Sequence, residues 1–448
     1  MSRTSAAPRA SLLLLAYLAF VSLGLPDGLI GVGWPSIRED LGVPTEAVGV
    51  VLTAGTVAYL TSSVLAGFTL TRLGVGWLLA GSTLLAGLAL TGYALTPALA
   101  MMVGFALVLG LGSGAIDAGL NAYAAGAFGP RHMNWLHAFF GLGVAIGPLI
   151  MTGVLGAGLS WRWGYGAVAT AQLALAAAFA LTVRAWRDRT PTPAPADPVA
   201  PAVVPGSRAG SAVAPDGPGG AAATADGPEE LGIAPAAQVA LVVAAPAADG
   251  PAVPPTPIRE TLRLPAVWLG GAAFAVYVAI EVTTGLWAFL LLTEGRGVSR
   301  PVAGLCVSGY WGSLFLGRVV QGVVAERLGT AGVLRGSLVG LVAGTGLIAL
   351  PAPAWVTVAG LLVVGFAAAP VFPLLTLTTA ERVGKAHADR TIGLQIGAAG
   401  VGAALVPAAV GVLLARTSVV LLGPTLVVLA AALLALHAAG SRRVRPVA

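Results

Sequence analysis

The sequence predicts an all-α membrane protein whose twelve transmembrane helices form two pseudo-symmetric six-helix halves. Three observations predict it. Of 448 residues, 57% are hydrophobic and only 9% charged, against about 25% charged in a soluble domain, and the mean hydropathy is +0.90. Twelve apolar runs can be drawn, each near the roughly 20 residues that cross a bilayer core of about 30 Å. One loop motif also recurs six runs after its first appearance.

Taken in order, the expected spans of the first half are 11–33, 46–67, 75–96, 98–125, 133–157 and 162–184. Those of the second are 265–291, 300–324, 331–350, 353–379, 391–415 and 418–438. The opening run is longer than a signal-peptide core and has no small-residue cleavage site before Trp34-Pro35, so it reads as a retained helix. Residues 1–184 are therefore one half and 263–448 the other, with a short basic tail. Between them, 15 of the 31 prolines fall in 191–257 among Ala, Gly and scattered Asp. That composition predicts a disordered linker over 185–262 with no chemistry of its own.

The net charge of +6 could suggest nucleic acid, but the basic residues lie in short loops between apolar runs. Placing the termini, the linker and the even-numbered turns on one side puts 19 basic residues there and only Arg38, Arg162, Arg296, Arg300 and Arg416 opposite. The positive-inside rule then makes both termini cytoplasmic. Arg-over-Lys usage and Ala, Gly and Pro richness suggest a bacterial cytoplasmic membrane. The lone Cys306 supports no disulfide or metal cluster, and no zinc spacing occurs around His132, His387 or His437. No phosphate-binding Gly-x-x-x-x-Gly-Lys-Ser/Thr loop is present. The chain is thus expected to be no enzyme, to need no cofactor, and to draw its energy from an ion or solute gradient.

Three carboxylates fall inside spans, where an ionised group costs about 2.5 to 3.5 kcal/mol on insertion scales and so marks a functional position. Asp27 sits in Leu25-Pro26-Asp27-Gly28, where proline and glycine free backbone groups toward a cavity. Asp117 and Asn121, four residues apart, share one helical face beside Gly110, Gly112 and Gly114. Glu281 lies one turn after Tyr277 and one turn before Gly285. A carboxyl that is neutral when shut away from water and ionised when wet carries a proton across, so these three are the expected proton-coupling residues. The bland alternative for each is an interhelical bond or an ion pair with Arg318.

Asn134 and His137 open the fifth span on one face, ahead of Gly147-Pro148. His137 suits either a proton relay or a structural bond. Trp287, Tyr310, Trp311 and Gln395 are side chains of the kind that stack on sugar rings and bond hydroxyls, although packing accounts for many such residues. With the three carboxylates and Asn121 they complete the expected substrate site.

The recurring loop is Gly67-x-x-x-Thr71-Arg72-Leu73-Gly74 after the second span and Gly322-x-x-x-Glu326-Arg327-Leu328-Gly329 after the eighth. It resembles the cytoplasmic loop motif of the major facilitator superfamily, Gly-x-x-x-Asp-Arg-x-Gly-Arg, which comes at those two places. Thr71 replaces the acid in the first copy and Glu326 restores it in the second. The resemblance implies a cytoplasmic gate at Gly67, Arg72, Gly74, Gly322, Glu326, Arg327 and Gly329.

Within that superfamily, three local motifs look like the fucose permease branch: Gly24-Leu-Pro-Asp27-Gly28, the Asp117-x-x-x-Asn121 pair, and Asn134-x-Leu136-His137-x-Phe139-Phe140-Gly141. The likeness implies sugar binding and proton coupling at Asp27 and Asp117, although the branch usually has Glu where Asp117 stands. The expected function is proton-coupled uptake of a sugar or similar polar solute by a monomer in the bilayer, with small solute and protons as partners. The alternative is a proton-driven drug or metabolite exporter, suggested by Gly143-Val-Ala-Ile-Gly147-Pro148.

Overall fold

The computed structural model describes residues 10–128, 130–186 and 257–442; the side chains of 125–126, 130–131, 133–134, 321–326 and 441–442 lie outside the described set. The regular elements are helical, with no strand among the described residues. Lipid dictates this, because a chain without water must satisfy every backbone N–H and C=O within its own helix.

Ten helices are long and apolar enough to cross a membrane. One of them, Thr45–Leu95, has 51 residues, about 76 Å at 1.5 Å per residue, so it makes two passes. The turn falls on Gly74, whose φ of 74° and ψ of 164° lie outside the helical region. Arg300–Leu328, a less apolar helix of 29 residues, supplies the twelfth pass. The passes are α1 (Ala10–Leu41), α2 (48–73), α3 (75–95), α4 (Leu99–Ala127), α5 (Pro130–Gly156) and α6 (Arg162–Thr182). They continue as α7 (Pro265–Leu290), α8 (Arg300–Leu328), α9 (Thr330–Ala349), α10 (Ala354–Leu377), α11 (Lys385–Arg416) and α12 (Leu422–Arg442).

Two local departures from expectation have clear causes. No irregular loop separates α2 from α3, because one positive-φ glycine makes the whole turn. A short helix, Ile258–Arg263, occupies the end of the stretch expected as linker, before Pro265 opens α7 at a position where its missing N–H costs nothing. The rest of that stretch, 187–256, lies outside the described residues.

The halves pack by one plan. In the first, α1 packs on α5, α2 on α4, and α3 on α6; in the second, α7 packs on α11, α8 on α10, and α9 on α12. Each pair is the other shifted by six helices. Gly329, which ends the second motif copy, has φ 69° and ψ 154°, close to the values at Gly74. A third turn, Glu381-Arg382-Val383-Gly384, repeats the pattern between α10 and α11 with φ 82° at Gly384.

Close approach within the first half rests on glycine. A Cβ on Gly24 or Gly28 of α1 would overlap the carbonyl oxygens of Phe140 and Val144 on α5, and one on Gly143 would overlap that of Val21. This is small-residue packing that lets two membrane helices meet backbone to backbone. It also explains the Gly143-to-Gly147 run as half of an α1–α5 contact. Gly110 and Gly114 do the same for α4 against Gly55 and Tyr59 of α2.

The halves touch along α1–α7, α2–α11 and α5–α8. Ser308 Oγ donates to the Ala145 carbonyl at 2.7 Å, and Arg38 Nη2 donates to Glu294 Oε1 at 3.2 Å. Glu294 sits in a π turn, Leu291–Gly295, that closes α7. Gly49 meets Ala408, and Gly411 meets Glu46. These ties gather toward the ends away from the termini.

Candidate functional site

A cavity of about 260 Å³ lies between the halves and is lined by residues of both. The first half contributes a polar wall in which Asp27, Thr56, Tyr59, Tyr93, Ser113, Asp117 and Tyr165 stand among aliphatic neighbours. The second half contributes an apolar one of Val278, Val282, Leu286, Trp311, Phe372, Ala399 and Ala403, interrupted by Glu281. All three carboxylates expected from the sequence therefore line one space, and Trp311 joins them.

Their environments differ. Asp27 is exposed to the cavity, and its carboxylate has no hydrogen-bond or ion-pair partner among the described residues. Its helix runs unbroken through Pro26, and the glycines on either side hold it against α5.

Asp117 is buried and held at both oxygens: Tyr59 Oη donates to Oδ2 at 2.7 Å and Asn121 Nδ2 to Oδ1 at 3.0 Å. Asn121 thus acts on the carboxylate from one turn away, as the shared face required. Tyr59 is a residue that sequence reasoning missed; an isolated tyrosine on α2 gave no signal, and only the Gly55–Gly110 approach brings it across.

Glu281 is buried too. Tyr277 Oη bonds its carboxyl, and the same hydroxyl is 3.0 Å from the Ala368 carbonyl, where α10 breaks ahead of Pro370. Arg318 Nη2 stands 3.8 Å from Glu281 Oε1, an ion pair beyond hydrogen-bond length, with the arginine side chain 7% exposed. The guanidinium also lies against Gly141 of α5. The pair with Arg318 weighed for Glu281 is thus present, and Glu281 still lines the cavity.

Other expected residues lie behind the walls. Trp287 is six residues beyond Glu281, about 240° round the helix, and faces α11, where its N–H donates to the Pro407 carbonyl at 3.1 Å. Tyr310 turns away beside Trp311 and donates to the Glu281 backbone carbonyl at 2.9 Å. Gln395 accepts from Thr379 Oγ1 at 3.0 Å and fills the space over Gly270. His137 is buried edge-on against Phe20, ring centroids 5.2 Å apart, and does not line the cavity. These four are packing and second-layer residues because helix rotation points them there. The side chain of Asn134 lies outside the described residues, as do those of Gly322 and Glu326. Of the remaining loop-motif residues, Arg72 and Arg327 are exposed, Gly74 and Gly329 make the turns, and Gly67 has open space around it. Thr71 donates its hydroxyl to the Phe68 carbonyl of its own helix at 2.9 Å.

Twelve membrane passes in two related halves, closed around a central cavity with carboxylates in its wall, define a solute transporter and not an enzyme. The chain belongs to the Major Facilitator Superfamily, whose family model matches residues 16–291 and 269–448.

Among solved structures, a single-residue mutant of the nucleoside transporter NupG is similar with a TM-score of 0.66 and 15% identity, over 96% of this chain and 100% of that one. A second NupG crystal structure gives 0.62 and 14%, over 96% and 98%. Likeness at that identity is likeness of fold. A 68-residue stretch is 34% identical to bypass of stop codon protein 6 of Saccharomyces cerevisiae, spanning 15% of this chain and 14% of that protein.

Proposed function

We propose that this protein is a proton-coupled importer of a sugar or similar small polyhydroxylated solute, working as a monomer by rocking its two halves about the central cavity. The observation that carries the reading is Asp27: a carboxylate open to the central cavity, unpartnered among the described residues, and backed by Thr56, Tyr59, Tyr93 and Ser113. Those groups suit hydroxyls, and the rings of Trp311 and Phe372 opposite suit the apolar face of a sugar ring. The volume, about 260 Å³, falls below the range of about 300–1,000 Å³ typical of drug-sized ligands.

Coupling to protons is supported by Tyr277. Its hydroxyl has one proton yet touches two acceptors, Glu281 Oε2 and the Ala368 carbonyl. Both contacts are hydrogen bonds when Glu281 carries a proton. Asp27 and Glu281 are then the exchanging groups, and Asp117 is a fixed acceptor. With the termini on the cytoplasmic side of a bacterial membrane, the ties at the opposite ends make this the inward-open arrangement. Residues 185–262 serve as the tether between halves.

The exporter reading has one observation in its favour, the apolar wall of the second half. Proteoliposomes with an internal pH dye separate the two. Proton entry on adding galactose, fucose or glucose, absent in Asp27→Asn, supports symport. A proton signal with a cationic drug alone, running opposite to its uptake, overturns it.

A further inference from the structure

The charge of the cavity limits what it accepts. Three carboxylates line it, and no Arg, Lys or His does among the described residues. The nearest guanidinium, Arg318, is behind the wall and turned to Glu281. Asp27 is left as an acceptor facing the solute, with the rings of Tyr93, Trp311 and Phe372 around the same space. We infer that the cavity is a charge filter: Asp27 holds either a proton or the ammonium group of an organic monocation, and anionic solutes are excluded.

The inference rests on the reading of Asp27 as a proton-exchanging group, and extends it to solute charge. A neutral polyol leaves the proton on Asp27 and travels with it. A protonated amine displaces it: the carboxyl O–H breaks, the proton leaves to whichever side the cavity faces, and the carboxylate pairs with the ammonium, so charge balances. Aromatic faces add cation–π attraction for the incoming cation. An anion finds only like charge, and like charges set together exclude a wrong partner. The titratable and charged groups around Asp27 are Tyr59 of α2, Tyr93 of α3, Asp117 of α4, Tyr165 of α6 and Glu281 of α7 with Arg318 of α8. From α5, among the described residues, come Phe140 and Val144.

The test uses the purified full chain in detergent with two matched sets of probes: galactosamine, galactose and galacturonate, and phenethylamine, phenethyl alcohol and phenylacetate. Calorimetry in weak buffer reads binding and proton release together. The amine of at least one set is expected to bind with release of one proton, and to tighten by up to about ten-fold per pH unit while the proton competes. The matching acid is expected to bind at least about ten-fold more weakly than the alcohol or sugar. Asp27→Asn should remove the proton release and the pH slope, and Asp27→Glu should keep both. An acid that binds as well as its neutral partner, or an amine that binds without proton release or not at all, overturns the inference. Because the wild type alone decides this, a poorly folding variant does not rescue it. Amine binding with proton release but no sugar uptake would overturn the sugar reading alone; sugar uptake matched by galacturonate would overturn the filter alone.

Discussion

Tyr59 on α2 donates its hydroxyl proton to Asp117 on α4 at 2.7 Å, and this bond crosses the point where Gly110 and Gly114 let the two helices touch. It turns a charge buried in a membrane half into a fixed acceptor in the cavity wall. Removing the hydroxyl leaves a carboxylate oxygen short of its donor. Tyr59→Phe is therefore expected to destabilise by about 1.5–3 kcal/mol, the usual worth of a bond to a charged group. Melting in detergent checks it: a variant as stable as wild type would show that the Asp117 carboxylate does not depend on the Tyr59 hydroxyl.

Asp27→Asn keeps the shape of the wall and removes the proton that the proposed coupling exchanges. Net uptake driven by a pH gradient is expected to fall by at least about ten-fold, or 1.4 kcal/mol in the barrier. Exchange of solute with solute, which needs no proton to leave, is expected to survive. Equal loss of both would place Asp27 in solute binding alone.

Gly143 of α5 has no room for a side chain, since a Cβ there would overlap the Val21 carbonyl oxygen of α1. Overpacking of this kind costs about 1–3 kcal/mol. Gly143→Ala should melt lower than wild type, while Gly153→Ala, with nothing around it, should not. Equal melting of the two would mean that α1 and α5 separate readily.

The ion pair Arg38–Glu294 joins the halves, with side chains 31% and 48% exposed. An exposed pair is worth about 0.2–1 kcal/mol and is screened by salt. Glu294→Gln is expected to shift the balance between the two arrangements up to about five-fold toward opening at that end. Alkylation of Ser308→Cys in a Cys306→Ser background, at a position that bonds the Ala145 carbonyl across the contact between α5 and α8, reads the shift. Unchanged labelling in low salt would show that the pair holds nothing.

Much of the architecture was legible from composition and spacing alone. Apolar runs of bilayer length, bounded by arginine, give passes because lipid leaves the backbone no other choice, and the paired motifs at Gly74 and Gly329 mark the repeat. Asp27, Asp117 and Glu281 were legible for the same reason: a charge kept in lipid needs a cavity. The partners were not. Tyr59 meets Asp117 only because glycines bring α2 and α4 together, and no local pattern carries that. Trp287 and Gln395 resemble site residues by type, yet rotation about their helices turns them into packing. The third turn, at Gly384, carries a weaker signal, because Val383 and Lys385 flank it where the other copies have Leu and an uncharged residue.

The glycine seam between α1 and α5 fixes more than stability. With Gly24, Gly28, Gly143 and Gly147 packed backbone to backbone, and α4 packed on α2 in the same way, Asp27 and Asp117 both ride on the first half. Glu281 rides on the other. The distances from Glu281 to Asp27 and to Asp117 are therefore the ones that rocking of the halves changes, and a spin-label pair placed beside Asp27 and Glu281 would record turnover as a ruler records length.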